Sequence, residues 1–225
     1  MKKKHEAGFA LTELVVAMTV GLIVLMAAFL LLDRAHSASN EISDRQDAVQ
    51  RGRQAMENLT RQIRSQVCLG NTIEPISLGT ENQVTFYADL TDGSKNVERR
   101  NIVFNPVTKT ITEEVYAGVG AYPSLTFSGT PTESRVILSK AERVDVATPF
   151  LRYYAYDPGG APGALRDLDT PLSAGDAPLV VMVKIAFVAL PERGVPRDRD
   201  ATTFYNDVYV RLANPTVPTQ GPRCL

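Results

Sequence analysis

The sequence is poor in the residues on which many enzymes and metal proteins depend. Its 225 residues include two cysteines and two histidines, the latter at His5 and His36. Two cysteines cannot build a disulfide-rich scaffold or a four-thiolate zinc site. The sequence also lacks a nucleophile elbow, a phosphate-binding loop and a metal-binding histidine pair. We therefore expect no catalytic site, no metal and no cofactor.

Neither sign of charge dominates the chain. Lys and Arg number 24, Asp and Glu number 25, and the formal net charge is −1. A chain so balanced has no bulk attraction to nucleic acid. Acidic residues are interspersed among its arginines, so we expect a solvated surface and no specific nucleic-acid binding. The arginines considered as phosphate contacts are Arg51, Arg53, Arg61, Arg64, Arg99 and Arg100.

One long apolar run lies near the N-terminus. Residues 9–32 carry a single charge, Glu13, and follow the lysines at positions 2–4. As a helix this run would be roughly 36 Å long, enough to cross a bilayer core of about 30 Å. The preceding lysines predict that the N-terminus stays in the cytoplasm and the rest of the chain lies outside.

Two ordinary explanations of this run are incomplete. A secretory signal peptide needs a shorter apolar region and a cleavage site between small residues, which Ser37, Ala38 and Ser39 imitate. The run is too long for that class and contains a carboxylate. A plain single-pass anchor fits the length but leaves Glu13 unexplained, because a carboxylate in lipid costs a few kcal/mol and usually has a partner.

The stretch GFALTEL, residues 8–14, resembles the processing site of type IV prepilins and type II secretion pseudopilins. The resemblance implies that a prepilin peptidase cuts after Gly8 and that the new terminal residue, Phe9, is N-methylated. It also implies that Glu13 pairs with the Phe9 amine of a neighbouring subunit, and that the apolar helices pack in the core of a filament. Removal of the leader would leave a net charge of −3, with His36 the remaining histidine.

The polar segment that follows has a helical pattern. Ile42, Val49, Met56 and Ile63 recur every seven residues, and Leu59 and Val67 widen the stripe. We expect the helix to continue to Val67 and to stop at residues 68–71, with Gly70 as a left-handed cap. Gly52 would cost this helix about 1 kcal/mol relative to alanine. As in pilins, the apolar half would be exposed and the amphipathic half packed on a head domain.

The remainder of the chain has the texture of strands. Residues 83–90, 97–104 and 109–116 predict an antiparallel meander, with a hairpin signal at Asp92 and Gly93. Shorter strands are expected at 135–139 and 150–157. Residues 179–190 are apolar at nearly every position and predict a central strand buried on both faces. Residues 202–212 alternate, with Phe204, Val208, Val210 and Leu212 on one face and Asn206 as the exception.

These elements predict an α+β fold of the pilin type. The expected parts are a leader (1–8), a membrane or filament-core helix (9–32), an amphipathic half-helix (33–70) and a β-rich head domain (71–225). Segments 50–67, 150–157, 177–187 and 206–214 are similar to the J-type minor pseudopilin and related minor pilins. The loop at 158–178, rich in Gly, Pro and Asp, departs from that resemblance and receives no role.

The two cysteines permit a single pairing within an exported head domain. A bond between Cys68 and Cys224 would close a loop of about 157 residues and contribute about 3 to 5 kcal/mol in the chain-entropy model. Two free thiols, or a link from Cys224 to another subunit, are the alternatives. Spacing alone does not decide among them.

Two clusters have an ordinary explanation that we prefer to a functional one. Calcium takes oxygen ligands from loops, but the loop aspartates match no EF-hand spacing and are expected to be solvated. They are Asp157, Asp167, Asp169 and Asp176. The tyrosines at 153, 154 and 156 are interpreted as strand packing.

The sequence therefore favours a minor pilin or minor pseudopilin, a structural subunit and not an enzyme. Its expected partners are prepilin peptidase, other pilin or pseudopilin subunits and the membrane. It would reside in the cytoplasmic membrane with its head outside, and then in a cell-surface or periplasmic filament. A single-pass membrane-anchored extracytoplasmic binding domain that never polymerises is the alternative. A secreted enzyme with an unrecognised site is the third possibility.

Overall fold

A computed structural model describes residues 11–69, 75–90, 97–122, 124–192 and 201–210. The chain divides into two compact units, Met1–Ser43 and Asp44–Leu225. A single helix, α1 (Leu11–Arg64), contributes to both units, and the strands belong to the second. Gly8, Phe9, Gly70, the Asp92–Gly93 turn signal and Cys224 lie outside the described residues.

The described part of the first unit is residues 11–43 of α1, of which residues 11–32 are its apolar part. Residues 11–40 are exposed at every position. The helix forms because leucine, alanine and methionine favour it, no proline interrupts it, and Gly21 is its one glycine before residue 52. Among the described residues, α1 alone is long and apolar enough to cross a membrane.

In the second unit, one face of α1 is buried. The buried residues are spaced three or four apart and include small ones: Ala48, Gly52, Ala55, Leu59 and Ile63. The expected seven-residue stripe is therefore only partly right. Met56 and Ile63 are buried, whereas Ile42 is 60% exposed, because the face that approaches the sheets is centred on alanine and glycine.

The helix ends three residues before Val67, the end that the sequence suggested. The hydroxyl of Ser65 donates to the carbonyl of Gln62 at 2.7 Å. Gln66 then forms an isolated antiparallel bridge with Ala88, and the N–H of Val67 donates to Tyr87 at 2.9 Å. The chain thus leaves the helix by joining the edge of a sheet, so Gly70 is not the cap of this helix.

The first sheet has six strands and is antiparallel throughout. Its strands β1 to β4 follow one another in space, and β5 and β6 both pair with β4. This confirms the predicted meander, which corresponds to β2, β3 and β4. The bounds are β1 (Ile76–Gly79), β2 (Gln83–Ala88), β3 (Glu98–Asn105), β4 (Thr110–Val119), β5 (Thr126–Phe127) and β6 (Glu133–Ser139).

The second sheet has five strands in the order β11-β10-β8-β9, with β7 also on β10. The central position of β10 and its burial on both faces are confirmed. The alternation of β11 is confirmed as far as Val210, while Leu212 lies outside the described residues: Val208 is fully buried and Tyr209 is 52% exposed. The bounds are β7 (Ala141–Glu142), β8 (Leu151–Tyr156), β9 (Leu165–Leu168), β10 (Met182–Ala189) and β11 (Thr202–Tyr209).

The segment at 158–178, expected to be a loop, contains strand β9. Leu165 and Leu168 pair with Tyr156 and Tyr153 of β8. A short 3-10 helix, Ala177–Leu179, follows before β10. A four-residue strand among so many turn formers gives little periodic signal, which is why the sequence did not predict it.

One hydrophobic core joins α1 to the inner faces of both sheets. Phe150 lies at its centre, with ring centroids 5.4 Å from Phe104 of the first sheet and 6.4 Å from Phe187 of the second. Leu59 and Ile63 bring the helix to the same cluster. The expected α+β architecture, a long N-terminal helix with antiparallel sheets, is confirmed.

Candidate membrane and assembly site

The apolar part of α1 is the largest exposed hydrophobic surface among the described residues. Leu11 is 82% exposed, Phe29 68% and Leu31 71%. No residue of its most apolar stretch is buried against the rest of the described chain. A continuous apolar surface of this size needs a lipid or protein environment. The helix therefore has what a single-pass anchor requires.

Glu13 lies in the first turn of α1 and is exposed. An acidic side chain there is favoured by the positive end of the helix dipole. No basic side chain of the described residues forms a salt bridge with it. Thr19, in contrast, is satisfied within the helix, because its hydroxyl donates to the carbonyl of Val16 at 2.9 Å. Any partner that neutralises Glu13 must therefore lie outside the described residues of this chain.

Arg51 connects the second half of α1 to both sheets through hydrogen bonds. Its Nε donates to Asp47 at 2.9 Å, Nη1 to the carbonyl of Ser139 at 3.3 Å, and Nη2 to the carbonyl of Leu190 at 2.8 Å. These carbonyls lie at the ends of β6 and β10. From the sequence, Arg51 was expected on a solvated face, because no periodic signal reveals such a role.

A buried carboxylate lies on the inner face of the first sheet. Glu113 is fully buried and forms salt bridges with Arg100 and Arg135, and Arg100 also pairs with Glu98. Glu114 faces the other side and accepts from Asn101 and the hydroxyl of Tyr116, each at 2.9 Å. The adjacent carboxylates thus point to opposite faces of the sheet. The alternation of Ile111, Glu113 and Val115 was the signal that would have placed Glu113 inside.

The outer face of the same sheet carries a cation on aromatic rings. The guanidinium carbon of Arg99 lies 4.3 Å from the ring centroid of Tyr116 and 5.7 Å from that of Phe127. Burial, and then the hydrogen bond to the Glu114 carboxylate, raise the pKa of Tyr116. Arg99 and Arg100, which the sequence offered as phosphate contacts, are both engaged within the fold.

Tyr153 confirms that the tyrosine cluster of β8 contributes to packing. Its side chain is fully buried, and its hydroxyl lies 3.1 Å from the carbonyl oxygens of both Thr80 and Gln83. Burial raises the pKa of this phenol far above its ordinary value. Tyr153 therefore joins the second sheet to the turn between β1 and β2.

The loop aspartates do not converge. Asp157 accepts from the N–H of Gly159 at 3.0 Å, Asp167 lies 3.7 Å from Arg152, and Asp176 lies 3.9 Å from Arg166. Within the described ranges, no group of three His, Cys, Asp or Glu side chains is arranged to hold a metal ion. Asp169, which is among the described residues, belongs to no such group either.

Cys68 follows α1 and is 6% exposed. The hydroxyl of Tyr122 donates to its carbonyl at 3.1 Å. Because Cys224 lies outside the described residues, its pairing with Cys68 stays a prediction. The same holds for cleavage after Gly8 and methylation of Phe9, for which the described residues offer no geometry.

Comparison with known proteins bears on the N-terminal segment. The family model described as "Prokaryotic N-terminal methylation motif" matches residues 3–29. This motif belongs to type IV pilin-type precursors, which are processed by prepilin peptidase and are structural subunits. No curated protein matches the chain. The match spans Gly8, Phe9, Glu13 and most of the exposed apolar surface. The motif and the exposed part of the helix therefore belong to the same segment of the chain.

Proposed function

We infer that the chain is a minor pilin or minor pseudopilin. In this proposal prepilin peptidase cuts after Gly8, Phe9 is N-methylated, and the mature chain enters or primes a type IV pilus, type II secretion or competence filament. The observation that carries the proposal is the apolar part of α1. It is exposed on all sides and bears one carboxylate, and most of it falls within the segment that matches the methylation motif at 3–29.

Charge pairing between subunits gives the helix its role in assembly. Cleavage would create a positive amine on Phe9 at the membrane end of the helix. Glu13 has no salt-bridge partner among the described residues, and an isolated carboxylate in lipid is costly. Pairing with the amine of a neighbouring subunit would remove the cost of each isolated charge. The two charges would meet at only one axial offset between the subunits. The apolar surfaces of the helices would then exclude lipid and form the filament core.

The second unit would provide interfaces with other subunits and would not catalyse a reaction. Its part of α1 is held in the core by Leu59 and Ile63 and fastened by Arg51. A helix held in this way presents its outer face in a fixed orientation to neighbouring subunits. We place the N-terminus in the cytoplasm and the head outside, on the basis of the lysines at 2–4.

The mature N-terminus is the first test. Protein extracted from membranes of the native host is analysed by mass spectrometry, and sheared filaments are probed for the chain. N-methylated Phe9 together with recovery in filaments or their assembly complexes is expected. A start at Met1 or at Asn40 would contradict the proposal. Methylated Phe9 with no recovery in any assembly would favour the alternative, an anchored extracytoplasmic binding domain that does not polymerise.

A further inference from the structure

Strand β6 is an unpaired edge of the first sheet. It pairs with β4 and with no other strand among the described residues. Its first four residues are exposed, and Val136 is 58% exposed. An edge strand presents unpaired N–H and C=O groups, to which another extended chain can hydrogen-bond.

A groove of about 540 Å³ separates this strand from α1. One wall is formed by residues 135–139 and the other by helix residues, namely Arg51, Gln54, Ala55 and Asn58. Side chains of a strand alternate between its two faces. A groove lined by five consecutive strand residues therefore follows the edge of β6. Five residues of strand measure about 16 Å, which is room for a short extended segment.

On the side of β11, the helix packs closely against the described strand residues. The aromatic ring of Phe204 packs against Gly52, and the amide of Asn206 donates to the hydroxyl of Thr60 at 2.6 Å. The opening at β6 is thus a local feature and not loose packing along the whole helix.

The groove has a positive lining. Arg51 and Arg135 contribute to it, and none of the described lining residues is a carboxylate. The four hydrogen bonds of Arg51 are internal, whereas Arg135 uses only its Nε, in the pair with Glu113. Within the described part of the chain, the two terminal nitrogens of Arg135 have no acceptor, and its side chain is 45% exposed. A guanidinium in this state is suited to a carboxylate.

We propose that an extended acidic segment of a different filament subunit binds in this groove. The segment adds a strand beside β6 and places a carboxylate against Arg135. Hydrogen bonds to the strand edge would supply affinity, and the arginines would select acidic segments over neutral or basic ones. This inference rests on the proposed function, because it assumes that the chain works within an assembly.

The test uses the full chain in the native host. A photo-crosslinking phenylalanine analogue is introduced at Val136, and a control carries it at Val146, which is 97% exposed and outside the groove. After irradiation, the crosslinked peptide is identified by mass spectrometry. We expect an adduct from position 136 with a carboxylate-bearing segment of another subunit that carries the methylation motif, and none of this kind from position 146.

A charge change on the helix wall tests the selectivity. Gln54 is exposed, so Gln54→Glu leaves the core intact, and Gln54→Lys is its matched control. Gln54→Glu should reduce the yield of the adduct about tenfold, while Gln54→Lys should retain it. Arg135→Gln should also lose the adduct, but this change disturbs Glu113. The two variants at Gln54 therefore decide the test.

The outcomes separate the two proposals. If the chain is methylated at Phe9 and present in filaments but yields no adduct at position 136, the inference about the groove is wrong and the proposed function stands. An adduct with a second copy of this chain, or one unaffected by the sign of the charge at position 54, also overturns it. An unprocessed chain would contradict the proposed function itself.

Discussion

The ring of Phe204 occupies the space that a side chain at position 52 would need. A Cβ added to Gly52 would lie 2.1 Å from Cε2 and 2.4 Å from Cζ of this ring. The ring has little freedom to move, because it stacks on Phe187 with centroids 5.4 Å apart. Gly52, which would only weaken the helix if judged by propensity, is thus a position where α1 and a side chain of β11 pack closely.

Gly52→Ala is therefore expected to destabilise the second unit. Alanine would favour the helix by about 1 kcal/mol, but the clash costs about 1–3 kcal/mol, since Phe204 must shift. Thermal unfolding of the detergent-solubilised chain, followed by tyrosine fluorescence, should show a lower midpoint. Phe204→Leu combined with Gly52→Ala should recover part of the loss.

Gly21 provides the control in the same helix. A Cβ at Gly21 would meet nothing within 4 Å, so Gly21→Ala should not lower the midpoint. If Gly52→Ala and Gly21→Ala behave alike, the close approach to Phe204 does not govern the packing of α1.

The buried carboxylate on the first sheet should matter more than its neighbour. Glu113→Gln would leave Arg100 and Arg135 without their shared partner, at a cost of about 3–5 kcal/mol. Glu114→Gln on the opposite face removes part of a half-buried hydrogen-bond network and should cost about 1 kcal/mol. Urea unfolding of both variants measures the difference, and equal costs would contradict the burial of Glu113.

Alkaline pH should unfold the chain partly through Tyr153. Burial raises the pKa of this phenol above its ordinary value of 10.0, so the unfolded chain releases the proton first as pH rises. Stability from this group is complete below about pH 10 and falls above it by at most about 1.4 kcal/mol per pH unit. Tyr153→Phe should flatten this dependence between pH 9 and 11. An unchanged slope would show that Tyr153 ionises in the folded state.

A bond between Cys68 and Cys224 should appear in a non-reducing peptide map of the exported protein. If it forms, Cys68→Ser and Cys224→Ser should each lower the free energy of unfolding by about 3–5 kcal/mol, and the double variant by no more. Additive effects of the two changes, or a dimer linked through Cys224, would contradict an internal bond.

Glu13 should be required for assembly and not for folding. Glu13→Ala and Glu13→Gln remove the charge at an exposed position, so processing and head stability should not change. Incorporation into filaments should fall about tenfold or more, because the neighbour's amine loses its partner in lipid. Thr19→Val serves as the control. Normal incorporation of Glu13→Gln would rule out the charge pairing.

Much of the fold followed from periodicity. The run of residues 9–32 predicted α1, and the alternations around Phe86, Ile102 and Ile111 predicted three neighbouring strands. Asn206, the exception on the inner face of β11, donates to Thr60 of the helix. Such a pair joins residues 146 positions apart in the chain and leaves no local pattern.

Other features were missed for a related reason. The face of α1 in the core follows Ala48, Gly52 and Ala55, and small residues carry little weight in a hydrophobic pattern. Strand β9 exists because Leu165 and Leu168 find partners on β8. The helix ends at Arg64 because Gln66 meets the edge of a sheet.

The sequence by itself determined the class of the N-terminal segment. Spacing among Gly8, Phe9 and Glu13, and the length of an apolar run, are properties of neighbouring residues, so they can be read without a fold. The tertiary structure alone decided that Arg51 fastens the helix, that Glu113 is buried between arginines, and that a positive groove follows β6. Each of these depends on residues far apart in the chain, which only the packing of α1 on the two sheets brings together.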